Sequence, residues 1–365
     1  MDQLTSDCTA SVGPAPAVRV PPLFAADDGE RIDEQLSTYF RRARAAYATD
    51  TRSAALFDQM AAFVLRGGKR IRPRLCLAGF RLFAADAAPR PVWRVAASLE
   101  LLHGFILAHD DIIDGCDSRR GGPALHAALG RVCGVPGERE AALGIVAGDL
   151  LCVLGMRLLG RSGLRRRLQA RATRLVADML VETGLGGALE VVYESRPLPE
   201  VSEEQLRDLY VRKSARYSLG GPLRVGAALA GARGPVLAAL QRFGDPLGLA
   251  YQIQNDLDAL TLDPTGVREN PDLDGGKRTL VVRMAYRLLD EAGRSALLAC
   301  LDGPPSLERR QRLLGLIHES GAIHEAMRLA ASLRRAAVAS LDRSPLDAHQ
   351  VAALSRLVEA IDPKR

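Results

Sequence analysis

Residues 109–122 have the sequence HDDIIDGCDSRRGG, in which a cluster of three carboxylates, Asp110, Asp111 and Asp114, is followed closely by two guanidiniums. At 3.6 residues per helical turn, Asp110 and Asp114 lie one above the other with Asp111 beside them, so the three carboxylates are expected to share one small volume. Mg²⁺ would relieve their repulsion, because it is usually held by a few carboxylates and keeps positions open for water and phosphate oxygens. Arg119 and Arg120 can grip the same phosphates through paired hydrogen bonds. The stretch therefore predicts a metal-assisted site for a phosphate ester.

The flanking residues favour this prediction over a solvated acidic helix end, which produces the same Asp-Asp-x-x-Asp spacing. Residues 105–108 are Phe-Ile-Leu-Ala, and Ile112 and Ile113 lie inside the motif. Such residues are mostly buried in folded proteins. We expect the carboxylates to stand at the mouth of an apolar cavity.

Length and composition indicate one large domain. The chain has 365 residues and no internal linker rich in Pro, Gly or Ser, and residues 1–34 lack a hydrophobic period. We expect a flexible tail over 1–34 and one domain over 35–365. The tail does not resemble a signal peptide, and no uncharged apolar run reaches the ~18 to 20 residues needed to cross a bilayer. We therefore expect a cytoplasmic protein without stable membrane insertion.

Cysteine spacing and charge exclude other classes. The six cysteines show no Cys-x-x-Cys spacing, which is typical of reduced thiols and not of a zinc or disulfide framework. The net charge of +6 includes a basic segment over 161–174, but only 4% of residues are aromatic and no nucleic-acid motif is present. We expect no nucleic-acid partner, and we attribute basic residues elsewhere to phosphate-bearing small substrates.

Hydrophobic periodicity predicts an all-α fold, because Val95, Leu99, Leu102 and Ile106 recur at intervals of three and four. Strand patterns are nearly absent, so we expect ten or more helices in a single bundle. Residues 141–159 are apolar on more than one helical face, which indicates a central helix or one buried between subunits. A homodimer is the expected assembly.

A second basic motif, Gly67-Gly68-Lys69-Arg70-Ile71-Arg72-Pro73, places Lys69 and Arg72 three residues apart. The two cations can share one side of a turn and bind a second diphosphate, although a simple basic helix start gives the same pattern. His103 precedes Asp110 by two helical turns, ~10 Å by helix rise. It is either a packed core residue or a donor to that second phosphate.

A third group of polar residues occupies 251–258. On one helix Gln252, Asn255 and Asp256 share a face, and Asp263 rejoins it if the helix continues that far, whereas Asp258 points the other way. Asp256 is the one firm carboxylate of this group. It predicts a weaker metal site than the first.

These motifs, taken in order, resemble the trans-isoprenyl diphosphate synthase (polyprenyl synthetase) family from about residue 35 to the end. The resemblance rests on the two motifs above together with His103, Gly148-Asp149, Lys213-Ser214 and Tyr251-Gln252-Ile253. It implies an all-α homodimer of the isoprenoid synthase type with a deep central cavity, which elongates an allylic diphosphate with isopentenyl diphosphate using Mg²⁺. The metal ligands it implies are Asp110, Asp111 and Asp114, with Asp256 opposite. The residues it implies for the allylic substrate are Arg119, Lys213 and Gln252, and those for isopentenyl diphosphate are Lys69, Arg72, His103 and Arg120. Ser214 is a further expected substrate-binding residue.

The resemblance also suggests a product length. In similar enzymes a bulky aromatic five residues before the first Asp limits the product near twenty carbons, and Phe105 holds that place. Geranylgeranyl diphosphate is the favoured product. Helical spacing alone aligns Ile106 better with Asp110, so a purely packing role for Phe105 stays open.

Two departures from the family pattern keep alternatives open. Asn255 and Ala259 stand where the second motif usually has Asp, and Val267 stands where a Lys is usual, with Arg268 beside it. A class I terpene cyclase is one alternative, a prenyltransferase with another acceptor is a second, and a non-catalytic partner subunit of another synthase is a third. The second basic motif argues against the first two, and the complete first acidic motif argues against the third.

Overall fold

A computed structural model of the protein describes residues 23–84, 87–261 and 271–361. The first half of this part contains α1 (Asp28–Tyr47), α2 (Thr51–Leu65), α3 (Ile71–Arg81), α4 (Arg90–Ile113), α5 (Leu125–Cys133), α6 (Gly137–Gly160) and α7 (Arg166–Glu194). After a 3₁₀ turn, Leu198–Glu200, come α8 (Glu203–Tyr210), a π-helical segment (Val211–Gly220), α9 (Gly221–Leu229) and α10 (Gly234–Thr261). The chain continues with α11 (Pro271–Asp274), α12 (Leu280–Leu288), α13 (Glu291–Asp302), α14 (Leu307–Glu319), α15 (Ala322–Ala339) and α16 (Ala348–Ile361).

The prediction of an all-α fold is confirmed. Within the described ranges, strand structure is limited to β1 (Ser118–Arg119) and β2 (Gly122–Pro123), which form one antiparallel hairpin. Helix starts follow local sequence signals. Ser202 accepts a hydrogen bond from the Gln205 backbone N–H, and the Gln205 side chain accepts one from Ser202 in return, which closes a capping box at α8.

The predicted tail boundary at residue 34 is wrong, because α1 already begins at Asp28. Ile32 and Leu36 are spaced one turn apart and are fully buried in the core. The Asp28 carboxylate is also fully buried and receives two hydrogen bonds of 2.7 Å from the Arg81 guanidinium on α3. This ion pair, between residues 53 positions apart, anchors the start of α1. No pattern among neighbouring residues predicts it. Residues 1–22 lie outside the described part.

The hydrophobic core surrounds α4, which packs against α1, α3 and α6. The periodic residues Val95, Leu99 and Leu102 are at most 1% exposed, as their spacing predicts. In the second half of the chain α10 packs against the π-helical segment and α15. The C-terminal parts of α4 and α10 both line one cavity.

Helix α6 has two apolar faces. One face, including Ala147, Leu151 and Leu158, is buried within this chain, whereas Val146 and Val153 are more than half exposed. The helix is long and apolar enough to cross a membrane by length and composition, with 44% of its most apolar window buried. Such a helix is also what the core of a helical protein contains, and α4 covers the buried face. The prediction that 141–159 is apolar on more than one face is confirmed.

Candidate active site

A cavity of about 670 Å³ opens between α4, α7, α8, the π-helical segment and α10. The predicted site residues in its wall are Arg72, His103, Asp110, Asp114, Arg119, Lys213, Ser214 and Gln252. Five other predicted residues are not in that wall, namely Lys69, Phe105, Asp111, Arg120 and Asp256. The structure therefore brings eight predicted residues, spread along the sequence from Arg72 to Gln252, into the wall of one cavity. The other five do not line this cavity.

The three carboxylates of the first acidic motif, at the end of α4, do not all face the cavity. Asp110 and Asp114, one turn apart, face the cavity, whereas the Asp111 side chain is fully buried behind them. Arg119 Nε donates to Asp111 Oδ1 over 2.6 Å. Burial raises the pKa of the Asp111 carboxyl, and the Arg119 bond opposes that rise. The expectation that all three carboxylates converge on one volume is wrong, because a helix places residue 111 about 100° around the axis from residue 110.

The turn of the hairpin also separates the two adjacent arginines. Arg120 and Gly121 have φ of 51° and 72°, the left-handed pair typical of a two-residue hairpin turn. Arg119 reaches back to Asp111, and Arg120 donates to the Gly67 carbonyl over 2.9 Å. The Arg120 guanidinium lies so close to Gly68, at φ 116°, that a Cβ there would approach it to 3.0 Å. The sequence predicts that the glycines let another group come close to the backbone. In the structure the group that comes close to Gly68 is the Arg120 guanidinium.

Two lysines compensate the charge of the carboxylates that face the cavity. Lys213 Nζ lies 3.6 Å from Asp110 Oδ1 and is bonded to Glu190 of α7. Burial alone would lower the pKa of the Lys213 ammonium, but Glu190 and Asp110 outweigh this and raise it. Lys277 Nζ donates to Asp114 Oδ2 over 2.9 Å and lies 3.0 Å from Asp272 Oδ1. Both lysines are therefore charged at neutral pH.

The π-helical segment presents an unusually dense polar face to the cavity. Lys213, Ser214, Tyr217 and Ser218 all line the wall. A π-helix has a wider turn than an α-helix, so residues four and five apart come onto one face, and such turns are frequent at functional sites. Gly186 of α7 makes room for this segment, because a Cβ on it would lie 2.6 Å from the Lys213 backbone nitrogen.

Arg72 lies in the wall of the same cavity and forms no ion pair with the residues that the structure describes. Arg72 Nη2 donates to Ser218 Oγ over 2.7 Å, and its guanidinium stacks 4.4 Å from the centre of the Tyr217 ring. His103 is buried, and burial together with Arg72 and Arg120 lowers its pKa well below the ordinary value. The imidazole is therefore neutral. Because Arg120 can only donate, the His103 Nε2 atom 3.4 Å away is the acceptor and Nδ1 carries the proton.

The neighbours Lys69 and Arg70 have different surroundings. Lys69 is exposed and lies outside the cavity wall. Arg70 adopts φ 49° and is buried, where it bonds Asp33 and Glu100 over 2.7 Å each. Arg70 thus ties α3 to α1 and α4. The contact of Lys69 with a substrate stays a prediction.

The side chains of the second acidic motif point in different directions. Asn255 lines the cavity, but the Asp256 carboxylate is buried and accepts hydrogen bonds from Tyr210 Oη and from Gln252 Nε2, the latter over 3.0 Å. Desolvation raises the pKa of Asp256 to about 7. Asp258 accepts from Gln254 Nε2 on the opposite side, as predicted. Metal binding by Asp256 stays a prediction, and residues 263, 267 and 268 lie outside the described ranges.

Phe105, which the resemblance puts at the floor of the cavity, is not among the described residues that line it, and its role in limiting the product stays a prediction. Ile106 and Leu107 line the wall, as does Leu209. Phe105 is half-buried, packs on the core cluster of α4 and meets the His109 ring edge-on at 4.9 Å. Ile106 is four residues before Asp110, so helical spacing puts the two side chains on the same face of α4.

Comparison with known proteins identifies the family. The family model described as polyprenyl synthetase matches residues 54–314, more than half of the chain. The chain belongs to the polyprenyl synthetase family. It is an enzyme of the prenyltransferase class, as the predicted resemblance implies.

Three similar proteins differ in the product they are named for. The "short chain isoprenyl diphosphate synthase" of Methanothermobacter thermautotrophicus is 32% identical over 65% of this chain and 69% of its own. The "geranylfarnesyl diphosphate synthase" of Aeropyrum pernix is 30% identical over 70% of this chain and 77% of its own. The crystal structure of the Corynebacterium glutamicum geranylgeranyl pyrophosphate synthase, complexed with isoprenyl diphosphate and magnesium, superposes with a TM-score of 0.84 at 28% identity and covers 93% of this chain and 99% of that one.

Sequence reasoning missed Lys277 and its partner Asp272, and also Glu190. The sequence does contain a pattern that could have pointed to Lys277. The tetrapeptide Gly-Gly-Lys-Arg occurs twice, at 67–70 and at 275–278. The first copy places Arg70 in the core, and the second places Lys277 in the active-site wall. Glu190 carries no comparable local signal, since it belongs to a long helix without an acidic motif.

Proposed function

We propose that this enzyme condenses isopentenyl diphosphate with an allylic diphosphate and releases a longer all-trans prenyl diphosphate, with geranylgeranyl diphosphate as the main product. One observation carries the proposal: a single cavity has two cationic ends of different kinds. At one end Lys213 and Lys277 stand among carboxylates. At the other, Arg72 and neutral His103 form no ion pair within the described ranges.

The carboxylate end suits the allylic substrate, whose carbon–oxygen bond breaks. Asp110 and Asp114 offer the hard oxygen ligands that Mg²⁺ prefers, and one buried oxygen of Asp111 has no hydrogen-bond partner. No group of three such side chains forms a metal cage among the described residues, but Mg²⁺ needs only one or two carboxylates together with substrate phosphates. The residues present therefore fit Mg²⁺, which would neutralise the departing diphosphate. Lys213 and Lys277 add fixed positive charge where negative charge grows on the leaving group.

The part of the wall around Arg72 and His103 suits isopentenyl diphosphate, which keeps its diphosphate throughout. Arg72 offers a planar fork of N–H groups, and the ring of Tyr217 holds it in place. The allylic cation must meet the acceptor double bond before it meets water. The apolar side chains of Ile106, Leu107 and Leu209 in the wall exclude water along this path.

The experiment supplies purified enzyme with isopentenyl diphosphate, Mg²⁺ and each allylic starter of five, ten or fifteen carbons, and identifies products by mass. We expect a twenty-carbon diphosphate from all three starters. Hydrocarbons or alcohols formed without isopentenyl diphosphate would establish a cyclase instead. No elongation with any starter, combined with an altered output of a co-purified synthase, would establish a partner subunit.

We also propose that the active form is a homodimer joined through α6 and α7. Their exposed apolar side chains include Val146, Val153, Val181 and Leu185, each at least 45% exposed in the single chain. Contiguous apolar patches of this kind mark interfaces. Light scattering after gel filtration should give twice the chain mass. Recovery in the supernatant without detergent would agree with α6 pairing with a second copy, and extraction only by detergent would contradict it.

A further inference from the structure

A second cavity, of about 340 Å³, lies between α1, the first half of α4 and the end of α6. Its wall residue Arg94 and the active-site residue Asp110 are sixteen positions apart on α4, which corresponds to ~24 Å of helix. The two cavities share no lining residue. This arginine-lined cavity is therefore separate from the catalytic site.

The charge of its wall is entirely positive. Among the described residues, no acidic side chain lines it and five arginines do: Arg42, Arg90, Arg94, Arg157 and Arg161. Elsewhere on the same helices arginines do find carboxylates, as Arg44 does with Asp58 at 2.8 Å. In the part of the chain that the structure describes, none of the five lining arginines forms an ion pair. Like charges gathered around one concavity repel each other, so a bound anion would stabilise the cavity.

Hydrogen bonds between the surrounding helices hold part of the wall in place. Tyr39 Oη donates to the Leu154 carbonyl over 2.9 Å and accepts from Arg157 Nη1 over 3.4 Å. Arg94 Nη1 donates to the Ser162 carbonyl over 3.1 Å. Arg157 also lies 5.4 Å from the centre of the Tyr47 ring. A guanidinium has five N–H donors, so both Arg94 and Arg157 keep donors for a ligand beyond these contacts.

We propose that this cavity binds a soluble anion that carries a diphosphate group. Guanidinium forks match phosphate oxygens two at a time, and several of them favour a ligand with several negative charges. The neutral side chains of Gln35, Thr38 and Tyr39 provide further polar contacts for such a group. The volume lies within the range of small-molecule sites and suits a diphosphate with a small organic substituent. This inference goes beyond the proposed reaction and does not depend on it.

The test counts binding sites for inorganic pyrophosphate by calorimetry in EDTA. The pocket variant combines Arg42→Gln, Arg90→Gln and Arg161→Gln, three exposed positions at which substitution changes stability little. We expect the pocket variant to bind one pyrophosphate fewer per chain than the wild type, because affinity at the arginine-lined cavity falls by roughly tenfold or more. Turnover at low substrate concentration should stay unchanged in the pocket variant.

A matched control removes the same charge from a neighbouring surface of α7. It combines Arg166→Gln, Arg167→Gln and Arg174→Gln, which are also exposed and lie outside the cavity. Equal pyrophosphate binding by the wild type and both variants would overturn the proposal. The proposal also fails if the pocket variant loses only its sedimentation with phosphatidylglycerol vesicles, because the arginines then serve a lipid surface. Conversion of a dimer to a monomer in the pocket variant alone would likewise overturn it, since a second copy would then cover the cavity.

Discussion

Replacement of Lys277 by Met removes the cation that links two distant parts of the active-site wall. Lys277 Nζ lies 2.9 Å from Asp114 Oδ2 and 3.0 Å from Asp272 Oδ1, and its side chain is 17% exposed. Loss of one preorganised charged donor from the place where an oxyanion develops costs about 3 to 4 kcal/mol, or roughly 10²- to 10³-fold in rate. Asp114 and Asp272 then keep uncompensated charge that attracts Mg²⁺ more strongly. We therefore expect the lower end, a roughly 10²-fold loss at saturating Mg²⁺.

The separate effects on kcat and on KM for each substrate show where Lys277 acts. If it stabilises the departing diphosphate only in the transition state, kcat and kcat/KM for the allylic substrate fall together, while KM for isopentenyl diphosphate is unchanged. Steady-state assays that vary one substrate at a time measure both values. Lys277→Arg keeps the charge and should recover most of the lost rate. Thermal unfolding of each variant checks that the fold is retained.

Two results would refute this reasoning about Lys277. One is a kcat/KM for the allylic diphosphate that stays near the wild-type value in the Met variant. The other is a loss confined to KM for isopentenyl diphosphate, which would place Lys277 at the acceptor end. A rate equally low in the Arg and Met variants, with unfolding temperatures far below wild type, would assign it a structural role.

Three further predictions follow from the described contacts. Ile106→Ala should lengthen the product by one or more five-carbon units and Phe105→Ala should not, because only the former lines the cavity; product mass checks the ranking, and the reverse order contradicts it. Arg70→Leu should lower the free energy of unfolding by about 3 to 5 kcal/mol, because it leaves a buried carboxylate unpaired, whereas the exposed Lys69→Leu should change it by less than about 0.5 kcal/mol in urea titrations. Burial raises the pKa of Asp256 to about 7, so the folded state holds a proton that the unfolded state has lost; the stability of the metal-free protein should fall as pH rises from about 4 to 7 and level off above, more steeply than in Asp256→Asn, and equal slopes would contradict the assignment.

Features that depend on neighbours along the chain could be predicted from the amino-acid sequence. The spacing of Val95, Leu99 and Leu102 predicts both the helix and its buried face, because 3.6 residues per turn is a property of the backbone. The interval of four between Asp110 and Asp114 similarly places both at one wall of the cavity. Motif order then supplies the family, which the matching family model confirms.

The division of side chains into those that face the cavity and those that support it depends on tertiary packing. Asp111 is turned inward to Arg119, Asp256 is held by Tyr210, and Lys277 meets Asp114 from 163 positions away. Periodicity specifies the face of a helix but not what will pack against that face. Burial of a charged carboxylate costs free energy, and only a donor that folding brings to it can offset that cost.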